Sequence, residues 1–259
     1  SYLKTLYIVR NKTLRIIIIY YHLMLNNFNL KKINLSKNLL FNNFNKNSAV
    51  NTVLFNGWMI HESFQLANYQ IIDHPIYESV FHIMTLIWQY VGLFIIAHDL
   101  HHDRNPSKYD SILGKLSIFF YGGFMLEDFS DKHQLHHKCP GKDEISCADP
   151  DFYDGNIFTW YFNFMKRYIN IKQILIQISF HIIAKNMGVS EENLILFWAL
   201  PSVLASMQLF YYGTYLTHGK NGEIRTTKFP RWLQTLTCYN FGYHKKHHSN
   251  PEIKWQDLD

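Results

Sequence analysis

Cysteine is scarce in this chain: Cys139, Cys147 and Cys238 are the only three, and no two form a C-x-x-C pair. An odd, sparse set argues against a disulfide scaffold and fits a reducing compartment. Acidic residues are missing from residues 1–61, which hold eight Lys and Arg. From residue 62 onward 17 bases face 20 acids, so the body lacks the basic footprint of nucleic-acid binding. There is no G-x-G-x-x-G, which argues against a nicotinamide or flavin site. There is no H-E-x-x-H, because His61-Glu62 runs on into Ser63-Phe64-Gln65. No E-x-x-H occurs either, so the carboxylate-bridged site of ferritin-like bundles is not encoded.

What the chain does have is histidine in one spacing. The pattern H-x-x-H-H occurs at His98-Asp99-Leu100-His101-His102, at His133-Gln134-Leu135-His136-His137 and at His244-Lys245-Lys246-His247-His248. Nine of the fifteen histidines sit in these boxes. On a helix, positions i, i+3 and i+4 share one face, so each box is expected to aim two or three imidazoles at one point. Neutral imidazole is the commonest side-chain metal ligand, and three convergent boxes exceed the needs of one four-coordinate ion. A site for more than one metal ion, built from the whole chain, is expected. His218 follows an apolar helix at the same end and joins the candidate ligands. The isolated His22, His61, His74, His82 and His181 are expected at the surface or hydrogen-bonded in the core. Asp99 is either a solvated charge or an acceptor that orients an imidazole.

The length of 259 residues fits one large domain. Residues 1–51 read as a basic, Asn-rich, poorly ordered extension, with ten Asn between 26 and 51. Residues 52–259 read as the membrane domain. Four stretches resemble helices that cross a ~30 Å hydrocarbon core. They are a weak one at 52–72, then 77–97, 171–187 and 193–216, the last kinked at Pro201. Residues 111–129 carry Lys115, Glu127, Asp128 and the pair Gly122-Gly123. Boxes one and two share a site only if they lie on one side of the membrane, so this segment should lie in the interface or re-enter. Phe158 to Tyr168 reads as an interfacial aromatic belt. The expected fold is all-α, a multi-pass membrane helical bundle of about four transmembrane helices plus interfacial helices. Acidic far-side loops and the basic N-terminal region place the metal site and the N-terminus on the cytoplasmic side.

Four stretches say more than spacing does. They are Gly92 to Asp99, Asp149-Pro150-Asp151-Phe152, Phe197 to His218, and Leu236 to His244 with His247 and His248. On these the chain resembles the membrane fatty-acid desaturase/hydroxylase superfamily. Within it, the chain resembles the bacterial and cyanobacterial-type β-carotene 4-ketolases over about residues 75–258. The boxes carry the superfamily; the Asp-Pro-Asp-Phe loop and residues 197–248 carry the ketolases. The resemblance implies His98, His102, His133, His136, His137, His218, His244, His247 and His248 as metal ligands. It implies Asp99, Asp149 and Asp151 as the catalytic carboxylates. His101 and Asp103 depart from the family pattern, so the choice between His101 and His102 stays open. The implied cofactors are two iron ions with O2 as co-substrate, although all-nitrogen ligation also suits zinc or copper. An electron donor such as ferredoxin and its reductase, a carotenoid substrate and membrane lipids are the implied partners. The implied reaction turns the C4 methylene of a β-ionone ring into a ketone by two hydroxylations and a dehydration. Phe94, Phe120, Trp198 and Tyr212 are aromatic candidates for lining the polyene tunnel, with ordinary packing as their alternative role. A fatty-acyl desaturase or hydroxylase is the second enzymatic reading. A membrane metal transporter is the third, and it would bury its ligands within the spans.

Overall fold

The computed structural model describes residues 45–144, 147–152, 155–219 and 222–259. The expected N-terminal extension, as far as residue 44, lies outside the described residues. Apolar residues are densest between 76 and 101, and that stretch forms the longest helix, α2 (Ile76–His101). Pro75 precedes it, with its φ fixed and no N–H that would need a partner. Leu86, Tyr90, Val91, Leu93, Ile95 and Ile96 are all buried, so α2 is the axis of the bundle. Against it pack α1 (Lys46–Asn68), α3 (Lys108–Gly122) and the helical span α7 (Glu191–Tyr215). The other α-helices among the described residues are α4 (Leu126–Lys138), α5 (Ile157–Tyr168), α6 (Ile171–Asn186), α8 (Arg231–Cys238) and α9 (His244–Ser249). The sole sheet among the described residues pairs Asp143–Glu144 with Cys147–Ala148. The architecture is therefore all-helical in its working parts, as expected.

Helix boundaries follow local chemistry. Asn45 caps α1 through its side chain, which accepts the Asn47 and Ser48 N–H groups at 2.9 and 3.1 Å. The helix thus starts before the expected apolar segment at 52. α3 ends where Gly123 adopts φ +76°, a left-handed conformation that favours glycine, and its N–H bonds the Phe119 carbonyl at 2.7 Å. α4 starts three residues later. Segment 111–129 is therefore a corner between two helices of about 22 and 20 Å, each shorter than the ~30 Å core.

Among the described residues two helices, α2 and α7, are long and apolar enough to cross a membrane. In α7 the expected disturbance at Pro201 takes the form of a π-helical turn, Ile195–Ala199, whose last bond runs from the Leu200 N–H to the Ile195 carbonyl. Proline has no N–H to give the carbonyl four residues back and would collide with it, so the wider turn relieves both problems. A second π turn, Phe210–Tyr215, precedes His218. Of the cysteines, Cys238 is free and buried, whereas Cys139 is disulfide-bonded.

One contact fixes how the end of the chain docks on the axis. Tyr239 and Asn240 both have positive φ, 51° and 63°, and turn the backbone sharply between α8 and α9. The Tyr239 ring stacks on Trp88 at 4.8 Å, and its hydroxyl donates to the Trp88 carbonyl at 3.1 Å. This requires Gly92: a Cβ there would lie 2.6 Å from the Tyr239 hydroxyl oxygen. Box three is thereby seated beside box one. We expect Gly92→Val to cost about 1–3 kcal/mol through overpacking, read as a lower thermal midpoint of the detergent-solubilised protein. An unchanged midpoint would show that Tyr239 moves aside freely.

Candidate metal centre

The three boxes lie at helix ends that meet. Box one closes the last turn of α2, box two closes the last turn of α4, and box three forms α9. The C-terminal end of a helix carries partial negative charge and favours a cation nearby. His218 lies just beyond α7, held by its backbone bridge to Ile224.

Each box divides its histidines by one rule. Successive residues turn about 100° round a helix, so i and i+4 differ by about 40°, while i+3 and i+4 diverge by about 100°. His98 and His102 stay together, as do His133 with His137 and His244 with His248. The i+3 member, His101, His136 or His247, points elsewhere. Boxes two and three therefore each straddle two groups. His98, His102, His133 and His247 form one group; His136, His218, His244 and His248 form the other. Within each group the candidate ligand atoms lie within 4.8 Å of one another. His137 stands between them. Its Nε2 is 3.1 Å from His133 Nε2 and 3.0 Å from His247 Nε2, and its ring stacks on His248 at 4.2 Å. His102 Nε2 lies 2.9 Å from His133 Nε2. His101 is half-buried beside Phe129 and belongs to neither group. Of the two residues between which the sequence left the choice open, His102 lies in the first group.

The donor set fits metal ions better than it fits hydrogen bonds alone. His136 Nδ1 is 2.9 Å from Asp149 Oδ1, and His218 Nδ1 is 2.9 Å from the Thr214 carbonyl. Both partners are acceptors, so both Nδ1 atoms carry hydrogen. When both rings are neutral, as ligation requires, their Nε2 atoms present lone pairs, and these face each other at 3.2 Å. Two lone pairs at that distance repel unless a cation takes both. His136 and His248 repeat the approach at 3.0 Å, and His248 and His244 do so again at 3.0 Å. Adjacent nitrogens on one ion, with bonds of about 2.1 Å, lie about 3.0–3.4 Å apart. His98 Nε2 is buried with no hydrogen-bond partner, another donor left for an ion.

Electrostatics keeps the rings in the ligating form. Burial, then the charge of neighbouring histidines, holds His102, His133, His244, His247 and His248 well below the usual imidazole range. The same causes bring His137 to about 4 and His218 to about 3. These rings are neutral at pH 7. His136 is the exception. Burial opposes its charge, but Asp151 and Asp149 favour it, and the net shift is upward. Asp149 Oδ1 also accepts the Asp151 N–H at 2.8 Å, and its Oδ2 accepts the Gly141 N–H at 2.6 Å. Asp151 accepts the Tyr168 hydroxyl at 2.9 Å and stays 3.8 Å from His136 Nδ1. Burial, aided by the Asp149 charge, raises Asp151 to about 6. Both carboxylates of the Asp-Pro-Asp-Phe loop therefore stand behind one imidazole and raise its basicity.

Asp99 is placed differently. Its Oδ1 is 3.3 Å from His98 Nδ1, while its Oδ2 accepts the Trp255 N–H at 2.8 Å and its carbonyl accepts Lys254 at 2.8 Å. It ties the end of the chain to box one. Tyr168, Lys254 and Trp255 are missed by sequence reasoning. Nothing in their local spacing marks them, because their partners are distant in the chain. His61, His82 and Gln89 form a hydrogen-bonded chain, with His61 2.9 Å from Gln89 and 3.0 Å from His82, away from the boxes as expected.

A cavity of about 420 Å³ adjoins both groups. His133 lines it from one group, and His136 and His244 line it from the other. Most of its wall is apolar. Phe129 stacks on His133 at 5.4 Å, and Phe241 lies 4.7 Å from His98 and 4.8 Å from His244. Phe94 and Trp198 line the cavity, as the sequence allowed; Phe120 and Tyr212 are outside its wall. Ile174, Ile178 and Val203 also line it and are 45%, 49% and 53% exposed, so it opens between α6 and α7 onto an apolar flank.

The fatty acid desaturase family matches residues 174–259, which contain His218 and box three. The chain is 32% identical over 213 residues to a β-carotene ketolase of Paracoccus sp. (strain PC1), covering 78% of this chain and 86% of that protein. A β-carotene ketolase of Paracoccus sp. (strain N81106 / MBIC 01143) is 34% identical over 197 residues, 71% of this chain and 79% of that one. The chain belongs to the β-carotene ketolase family. A zeaxanthin 4-ketolase of Chlamydomonas reinhardtii is also similar, 33% identical over 189 residues, which cover 67% of this chain and 42% of that longer protein. No solved structure matches the chain significantly. In box one the geometry makes a sharp contrast between His101 and His102. We expect His102→Ala to lower the metal content of the purified protein severalfold, whereas His101→Ala leaves it unchanged. Elemental analysis of both variants, at equal membrane insertion, checks this; equal losses would put His101 in the site.

Proposed function

We propose that the chain is a membrane carotenoid 4-ketolase that uses two iron ions and O2 to convert the C4 methylene of a β-ionone ring into a ketone. One observation carries the reading: the apolar cavity that is walled by histidines of both groups and opens onto the apolar flank of α6 and α7. A long hydrocarbon dissolved in lipid could enter by that route without crossing water. The printed names of the Paracoccus relatives supply the substrate class. His98, His102, His133 and His247 would hold one iron, and His136, His218, His244 and His248 the other, with His137 between them. When bound, the irons would activate O2 and supply the oxidant for the C–H bond.

The chain's own residues have separate tasks. Phe94, Phe129 and Phe241 keep water away from the reacting edge of the ring. Asp149 holds the Nδ1 proton of His136, and with Asp151 sets the orientation of that ring. Each hydroxylation consumes one O2, two electrons and two protons, and releases one water. The first gives an alcohol at C4. The second gives a geminal diol, which loses water to leave the ketone. The electrons come from an external donor such as ferredoxin and its reductase.

In this reading α1, α2, α6 and α7 cross the bilayer, while α3 and α4 lie at its face. Support comes from the exposed apolar side chains of Ile60 and Phe64 on α1 and of Ile174, Leu175, Ile178 and Ile182 on α6. α6, with 16 residues, spans about 24 Å and needs local thinning or flanking residues to complete the crossing. The metal centre and N-terminus would face the cytoplasm, in keeping with the excess of bases in residues 1–61. The ketolase domain would begin with α1 at Lys46 rather than at residue 52, and the residues before it would be an extension.

Expression in cells that accumulate β-carotene should yield mono- and diketo derivatives on pigment chromatography. Unchanged β-carotene, from protein shown to be folded and iron-loaded, removes the reading. Altered acyl chains without a pigment change would favour a desaturase or hydroxylase. Zinc transport without bound iron would favour a transporter.

A further inference from the structure

The cavity wall contains a buried polar group that the fold does not satisfy. Gln173 is 4% exposed and lines the cavity. Its place in the chain fixes which end of its amide is engaged. Asn170 is the N-cap of α6, and Gln173 stands three residues on. Gln173 Oε1 accepts the Asn170 N–H at 2.7 Å, while Asn170 Oδ1 accepts the Gln173 N–H at 3.1 Å. This reciprocal capping box consumes the amide oxygen. The nitrogen is the end left over, and Gln173 Nε2 is buried with no hydrogen-bond partner. An amide flip offers no escape, because it would aim N–H at N–H in the cap. A buried donor without an acceptor is costly to the free protein. One turn along α6, Gln177 lines the same wall.

A hydrocarbon ring gives this donor nothing to bond, whereas an oxygenated ring does. We infer that the Gln173 amide binds an oxygen atom carried on the terminal ring of the substrate. This rests on the carotenoid reading above. The shared chemistry is a ring hydroxyl accepting from Nε2–H. That hydroxyl has two sources: the carbon under oxidation, after its first hydroxylation, or the neighbouring carbon of a ring that arrives already hydroxylated. In the first case Gln173 retains the half-oxidised ring for the second oxidation. In the second it selects among ring types. Gln173 makes and breaks no covalent bond.

The test compares Gln173→Leu and Gln173→Met with Asn170→Ala, all in the full chain and in β-carotene-accumulating cells. The Asn170 variant weakens the helix cap but leaves the Gln173 amide in place. Both Gln173 variants should still consume β-carotene within about twofold of the parent. They should release the 4-hydroxylated pigment as a major product, or shift the competition between hydrocarbon and 3-hydroxylated rings roughly tenfold toward the hydrocarbon, the scale of one lost hydrogen bond. Accumulated 4-hydroxy pigment identifies the first source of the oxygen, and the competition shift identifies the second. Asn170→Ala should do neither. An unchanged product ratio and unchanged competition in the Gln173 variants overturns the inference. So does the same change in Asn170→Ala, or an equal loss of all conversion, since either reduces Gln173 to a helix cap. A parent that leaves every pigment unchanged defeats the carotenoid reading itself; an active parent with indifferent variants defeats only the role of Gln173.

Discussion

The structure depends on imidazole nitrogens held in contact without enough protons to share. The Nε2 atoms of His136 and His218 approach to 3.2 Å with both Nδ1 protons already committed to other acceptors. A cation turns that repulsion into a bond to each ring. Everything around the rings serves to keep them neutral and fixed. Burial lowers their affinity for protons, helix ends supply a negative field, and two carboxylates stand behind the one ring that is drawn the other way. The bundle brings three distant segments to one place, and the long buried axis of α2 is what they are brought to.

Much of this was legible in the sequence. The boxes, the all-helical fold and the corner near Gly122-Gly123 follow from periodicity, from glycine chemistry and from the need to keep boxes on one side. The division of each box was legible in principle too, because the 100° step separates i+3 from i+4. The placement of His102 rather than His101 in a group depends instead on its approach to His133, 31 positions away. Other features were out of reach because they join residues far apart. Trp255 bonds Asp99 across 156 positions, and Asn193 donates to the Tyr69 carbonyl across 124. No local pattern encodes such pairs. The cavity was illegible for a related reason: a void is what packing leaves over. Two of the four aromatic candidates, Phe120 and Tyr212, fell outside its wall.

The carboxylates show where residue type misleads. Asp99, Asp149 and Asp151 have the same chemistry and three different positions. Asp149 touches an imidazole directly and is satisfied on both oxygens. Asp151 reaches the cavity and is tied to Tyr168. Asp99 works mainly as a clasp for the end of the chain. The resemblance implies one role for all three, while their hydrogen-bond partners differ.

The straddling boxes have a mechanical consequence. α4 lends His133 to one group and His136 to the other, and α9 lends His247 to the first and His244 and His248 to the second. A short helix is a rigid body, so the two groups share a common chassis. Their separation is set by backbone rise and turn, not by flexible loops. A disturbance that unwinds either helix loosens both groups together. Ions taken up by such a frame should enter and leave as a pair, with half-filled protein a minor species.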